Sequence, residues 1–165
     1  MSAKVTVLGV DPGTLVTGFG LVEQTGGSAH LVEWSSIKTS SRVPLAERLS
    51  IIHAETVRLI RKHKPDEVAV ENIFQARNVK SALLLGHARG VVLLAAAQAG
   101  VKVFEYAPRE VKQSVVGSGG ASKSQVAAMV ERLLGVSCEN MLEDETDAVA
   151  VALCHFHKRS AVASG

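Results

Sequence analysis

The chain has 165 residues, 47% of them hydrophobic but only 4% aromatic, with 21% charged and a formal net charge of +2. That length suits one domain with an aliphatic core, and so small a charge argues for nucleic acid only if the basic residues gather on one face. The longest uninterrupted apolar run, Val91 to Ala97, falls far short of a membrane span, and the apolar stretch after Lys4 is too short for a signal peptide. Two cysteines, Cys138 and Cys154, have neither metal-ligand spacing nor the density of a disulfide scaffold. They are expected to be reduced, half-buried and inert, in a cytoplasmic protein.

Lys4 to Asp11 reads as a buried strand ending on an acid, with Pro12-Gly13 as the turn. Thr17 to Glu23 follows as a second strand in which Gly18 and Gly20 permit close backbone approach. After Gly26-Gly27 comes a third, Ala29 to Lys38, with Trp34 expected to pack. Short turns between the three imply an antiparallel meander. The period then changes: Leu45, Leu49, Ile52, Thr56 and Ile60 have helical spacing behind Pro44, and that helix ends before Lys64-Pro65. Glu67 to Ile73 is a strand with Glu71 near its end, Ser81 to Ala99 a long apolar helix, and Val101 to Tyr106 a fifth strand, which is the pattern of a parallel βαβ unit. Pro108 opens a short helix stopping at Gly117, and Gly117 to Gly120 reads as a flexible loop. Ser122 and Gln125 have capping-box spacing ahead of a stripe of Val126, Met129, Val130 and Leu133. A last helix runs from about Glu143 to Lys158, leaving a single domain with an ordered core over about 4–158 and a short flexible tail. A meander followed by βαβ with closing helices resembles the ribonuclease H-like arrangement. That implies an α/β fold whose mixed five-stranded sheet, in the order 3-2-1-4-5, carries helices on both faces.

Four acids stand out. Asp11 and Glu71 close hydrophobic strands, while Asp144 and Asp147, three apart at the start of a helix, share a face near its positive end. If the two strands are neighbours and the helix packs beside them, four carboxylates converge. Such a cluster repels itself and needs hard divalent cations. Two Mg²⁺ ions roughly 3.5–4 Å apart would stabilise the attacking and leaving oxygens of a phosphodiester, with water as nucleophile. Taken singly, each acid has a plainer reading as a turn former or a partner of the helix dipole. Their joint occurrence, in this order and on these element types, is far more specific.

Val10-Asp11-Pro12-Gly13-Thr14 with Thr17-Gly18-Phe19-Gly20 resembles the opening of the RuvC family of Holliday-junction resolvases. Glu71-Asn72-Ile73-Phe74-Gln75-Ala76-Arg77-Asn78 is similar to that family's second acidic motif and recognition loop, and Asp144-Glu145-Thr146-Asp147-Ala148 to its paired-acid signature. Gly86 to Gly90, Phe104 to Pro108, Val111 to Gly117 and Ser122 to Gln125 also match in character, so the likeness extends from Val5 to about His157.

The resemblance implies a magnesium-dependent endonuclease that cuts four-way junction DNA by paired, symmetric hydrolysis, with Asp11, Glu71, Asp144 and Asp147 as metal ligands and Mn²⁺ able to substitute. Glu143 competes with Asp144 for the fourth place, because it sits four residues before Asp147. Lys112 and Lys123 match positions near the scissile phosphate, where a cation stabilises developing charge; the plainer reading is solvated lysine. Phe74 would stack on a base at the junction centre, or else plug the core, and Arg77, Asn78 and Lys80 complete the expected DNA-contacting segment. His155 and His157 are explained by the helix dipole alone. The apolar helix Ser81 to Ala99 would pack on the sheet and on a twofold-related copy, giving a homodimer, and RuvA and RuvB are the implied protein partners. Two other readings compete. One is a junction-binding protein without nuclease activity. The other is an actin-like nucleotide-binding fragment, which would need a second domain and a second phosphate loop.

Overall fold

A computed structural model describes residues 3–72 and 76–163. Strands β1 (Val5–Asp11), β2 (Val16–Thr25) and β3 (Ser28–Lys38) form the expected meander. They are followed by α1 (Leu45–His63), β4 (Glu67–Glu71), α2 (Val79–Gln98) and β5 (Lys102–Tyr106). Three closing helices complete the chain: α3 (Pro108–Val116), α4 (Lys123–Leu134) and α5 (Glu143–Ala163). The sheet order is β3-β2-β1-β4-β5, with β1 antiparallel to β2 and parallel to β4, and β4 parallel to β5. This is the ribonuclease H-like order that the sequence implies.

Helices cover both faces, and each face has its own core. Leu8, Val10, Phe19, Val68 and Val70 point toward α1 and α2, where they meet Ile52, Leu59, Ala88 and Val92. Val7, Val22 and Ala69 point the other way, into Val149, Ala152, Leu153 and Phe156 of α5 with Val111, Val126 and Val130. The alternation is the ordinary period of a pleated strand. It places Asp11 and Glu71 on the α5 face, in line with Gly9 and Ala69, which are partners in the parallel register.

Glycines set how closely α5 lies on this face. A Cβ on Gly9 would stand 2.0 Å from the Ala148 carbonyl oxygen, one on Gly18 2.0 Å from that of Asp144, and one on Gly20 2.5 Å from Val149. Gly9 is paired with Gly20, and Gly18 with Asp11. A groove without side chains therefore lets the helix backbone lie directly on β1 and β2, with Asp144 seated opposite Asp11.

Several local expectations change. The α4 stripe ends on Leu134, which is buried, while Leu133 is 39% exposed, because the buried row Val126, Val130, Leu134 steps by four and drifts about 40° per step away from position 133. Trp34 does not pack; it is 42% exposed on the edge strand. Both cysteines are buried rather than half-buried. Helix α5 continues past Lys158 to Ala163, so His155 sits well inside it. The helix dipole does not account for this histidine, which is 1% exposed. Its Nδ1 stands 2.6 Å from the Tyr106 hydroxyl and its Nε2 2.7 Å from the Glu67 carboxylate, which also pairs with Arg159. The loop at Gly117 to Gly120 is held by Gln113, whose amide donates to the Gly117 carbonyl at 3.0 Å and accepts from the Gly119 N–H at 3.1 Å.

Candidate active site

Asp11 ends β1 and is only 9% exposed. The turn after it is fixed by the buried Thr17, whose hydroxyl donates to the Gly13 carbonyl at 2.7 Å and accepts from the Gly13 N–H at 3.2 Å. Glu71 ends β4 on the adjoining strand, within hydrogen-bond reach of Asp11. Asp144 opens α5, and Asp147 lies one turn further on rather than in the first turn. That first turn is closed by Glu145, whose carboxylate accepts from the Leu142 N–H at 2.8 Å. Glu145 is a capping residue that reading the sequence for catalytic acids misses, although an acid early in a helix after a loop is its sequence signal.

The four carboxylates feel one another. Burial, reinforced by Glu71, Asp147 and Asp144, raises the Asp11 carboxyl well above the usual range. Burial also lifts Glu71, against a hydrogen bond from Asp11 and the opposing pull of Lys123 and Lys112. Asp147 is raised by burial and by Asp144, with Lys123 acting the other way. Like charges in low dielectric with too little compensation hold protons at elevated pH, and Asp11, the most buried of the four, is raised furthest by its surroundings.

Both expected lysines are present. Lys123 Nζ lies 3.7 Å from Asp147 and pairs more tightly with Glu143. Lys112 and Lys123 line a cavity of about 190 Å³ together with Glu71 and Asp147, closed by Pro108, Val111, Val126 and Ala150. Glu143 is therefore engaged by a lysine at the rim, whereas Asp144 is among the charges that act on Asp11. A larger cavity of about 580 Å³ lies between α1 and α2 near Lys64 and Pro65, and no carboxylate lines it.

The remaining expected residues lie beyond β4. Phe74 is outside the described residues. Arg77 and Lys80 are exposed. Asn78 caps α2, its side-chain oxygen accepting from the Ser81 N–H at 2.9 Å, so its role in the fold is structural.

As they stand, no three acids, histidines or cysteines among the described residues are gathered tightly enough to hold an ion. The donor set nevertheless fits a hard divalent cation: it is all carboxylate oxygen, it is partly desolvated, and its most buried member carries no ion pair among the described residues. One carboxylate at the end of each of the adjoining strands β1 and β4 of a ribonuclease H-like sheet, with two more at the start of α5, has the chemistry of a carboxylate, metal-dependent nuclease.

Comparison with known proteins narrows the class. Residues 7–155 match the family model described as crossover junction endodeoxyribonuclease RuvC. The RuvC of Pelotomaculum thermopropionicum is 49% identical over 151 residues, covering 92% of each chain. That of Halothermothrix orenii is 45% identical, covering 90% of each. The structure of T. thermophilus RuvC in complex with a Holliday junction substrate superposes with a TM-score of 0.91 at 38% identity, over 96% of both chains. The chain belongs to the RuvC family of crossover junction endodeoxyribonucleases, nucleases that use divalent metal.

Proposed function

We propose that this protein resolves four-way DNA junctions by metal-dependent hydrolysis of phosphodiesters, working as a cytoplasmic homodimer in recombination and repair. The observation that carries the reading is the convergence of Asp11, Glu71, Asp144 and Asp147 at one end of one sheet face, with Lys112 and Lys123 beside them, in a member of this family.

Asp11, Glu71, Asp144 and Asp147 would hold two Mg²⁺ ions, with Mn²⁺ as a substitute. When bound, the ions supply a water nucleophile and stabilise charge on the phosphate oxygens. The chain's own residues do the rest. Lys123, now paired with Glu143 and Asp147, and Lys112, on the cavity wall, lie where a transferring phosphate would need cations. Arg77 and Lys80 offer exposed charge to the DNA backbone just before α2 and in its first turn, and Asn78 fixes that segment by capping the helix. Phe74 is the proposed aromatic stack on a junction base.

The dimer reading rests on α2. By length and composition it is the one helix among the described residues apolar enough to cross a membrane, and only 22% of its most apolar 18-residue window is buried. Its inner face meets α1 and β5. Its outer stripe of Leu83, Gly86, Gly90, Leu94 and Ala97 is exposed, with nothing within 4 Å of where a Cβ of Gly86 or Gly90 would stand. A stripe of large apolar residues around small ones suits close packing against a second copy. Two copies give one active site for each of a junction's two symmetric cuts. RuvA and RuvB would be the partners of such a dimer.

Nicking of a four-way junction and of linear duplex of the same sequence, in Mg²⁺ and in EDTA, tests the reading. Symmetric Mg²⁺-dependent cuts in the junction alone are expected. Junction binding without cutting would leave a binding protein in its place.

A further inference from the structure

The face that carries the four acids extends beyond them in both directions. Toward β5 lie Lys112 and Lys123. Toward β3 the sheet contains an irregularity: Leu21 is opposite Glu33 but Val22 is opposite Leu31, so Val32 is an extra residue. Such a bulge reverses which face the following residues occupy. Before it, Leu31 packs with the α5 core; after it, Ile37 packs with the α1 and α2 core. Ser36 therefore comes to share the α5 side with its partner Gly18, which touches Asp144, and Lys38 does so with Val16. Because Gly18 is also opposite Asp11, Lys38 stands at the active-site end of the active-site face. At two strand spacings and two residues further along, it is roughly 10–12 Å from Asp11 along the backbone lattice.

The segment after Lys38 is fastened to the catalytic turn. The Thr39 N–H donates to the Leu15 carbonyl at 2.8 Å, and its hydroxyl donates to that of Thr14 at 2.6 Å. Arg42 follows in a turn in which its N–H donates to the Ser40 hydroxyl at 3.2 Å. Lys38 and Arg42 are exposed and make no ion pair among the described residues. Lys4, Arg58, Lys62, Arg89, Lys158 and Arg159, by contrast, each pair with an acid. Two free cations held in fixed register with Asp11 have the chemistry of a phosphate contact.

We infer that Lys38 and Arg42 form a further DNA-binding site, gripping backbone phosphates of a junction arm on the side of the active site opposite Lys112 and Lys123. The separation from Asp11 corresponds to about three base-pair steps along the axis of a duplex arm. The occupant is the phosphodiester backbone, so contact here is independent of sequence and sets where the scissile phosphate falls. The inference rests on the junction-resolving reading.

The test is junction affinity in EDTA across a salt series for the parent, the double variant K38Q/R42Q, the charge-keeping K38R/R42K, and R61Q on α1 as a control distant from the site. Each lost phosphate contact lowers the slope of log affinity against log salt by about 0.9. K38Q/R42Q should therefore bind less steeply by one to two such steps, roughly tenfold weaker at low salt, while K38R/R42K and R61Q keep the parent slope. A K38Q/R42Q slope equal to the parent's, or an equal loss in R61Q, overturns the contact. A parent that does not prefer junctions over duplex sinks the underlying reading, and this site with it; a parent that prefers them with unchanged slopes in the double variant sinks this site alone.

Discussion

At one end of the sheet face beneath α5, four carboxylates meet with too few cations between them, and burial raises Asp11, Glu71 and Asp147. At the other end of the same face, Glu67 is a half-buried acid, 13% exposed in its side chain. Burial pulls it up too, but hydrogen bonds from His155 and Arg159 outweigh burial and hold it below the usual carboxylate range. The partner is tuned to match. Burial lowers His155 and keeps it neutral, so Nε2–H donates to Glu67 and Nδ1 accepts from Tyr106, whose hydroxyl burial pushes up to about 12. One end is a closed network that ties α5 to β4 and β5; the other is a group of acids short of cationic partners. A buried acid with all its partners stabilises the fold. A buried acid lacking them is a cost kept for function.

The largest expected break in this contrast comes from removing an acid at the open end. D11N, E71Q or D147N should lower junction cutting in Mg²⁺ by about a hundredfold or more, equivalent to several kcal/mol of transition-state stabilisation. Binding in EDTA should be kept or tightened, since one like charge facing the incoming phosphate is gone. Normal cutting by D11N would remove this acid from the mechanism.

Next in size is the groove that brings α5 to the strands. Gly18→Ala places a methyl 2.0 Å from the Asp144 carbonyl oxygen, and backbone cannot yield as a side chain can. About 3 kcal/mol of stability should be lost, with cutting per folded molecule reduced because Asp144 moves relative to Asp11. Urea unfolding with single-turnover cutting at matched folded fraction checks both effects. An unchanged midpoint would mean that α5 is not seated on Gly18.

Breaking the closed end should do less, and only to the fold. His155→Ala leaves a cavity and an orphaned Tyr106 hydroxyl, a loss of about 2 kcal/mol, with cutting per folded molecule near the parent's. The pH dependence has a definite sign. Glu67, depressed in the fold, contributes stability at neutral pH that disappears as pH falls through its folded range. His155, also depressed, favours the unfolded chain once that chain protonates below about pH 6.5. Both make the parent weaker in acid, and H155A should show a flatter decline between about pH 6.5 and 5. An equally steep decline in both proteins would assign the acid sensitivity elsewhere.

Only half of this contrast is visible in the sequence. Asp11 and Glu71 can be found because each ends a strand of legible period, and Asp147 because it is three residues from Asp144 on a helix. The order of strands follows from a meander and one βαβ unit. Gly18 and Gly20 are readable as points of close approach, but Gly9 looks like one more small residue in a buried strand, since nothing local tells which helix will lie on it. The reversal at Val32 is equally hidden, because a bulge depends on the pairing partner; Trp34 and Lys38 change faces with it. His155 is misjudged because the sequence pattern ends the helix near Lys158. Five more residues of helix turn a terminal histidine into an internal one, and its partner Glu67 is 88 positions away in the chain.

The smallest effect is the most discriminating, because its sign opposes intuition about charge removal. Asp11, Glu71 and Asp147 are raised in the fold, so the metal-free native state binds protons more tightly than the unfolded chain. Stability from this end is therefore fullest below the unfolded carboxylate range, near pH 4, and falls as pH rises through the raised folded values. At pH 7 in EDTA the cluster is a net cost. D11N replaces the most buried of its acids with a neutral group of the same shape, so it should stabilise the metal-free protein by about 1 kcal/mol, a rise in Tm of roughly 2–4 °C for a domain of this size. Added Mg²⁺ should reverse the order, because a cation that binds only the folded state stabilises the parent by mass action and D11N far less. Melting curves of both proteins in EDTA and in a Mg²⁺ series decide the matter without any DNA. If D11N melts lower than the parent in EDTA, Asp11 makes a favourable structural interaction like that of Glu67, and the two ends of the face are alike after all.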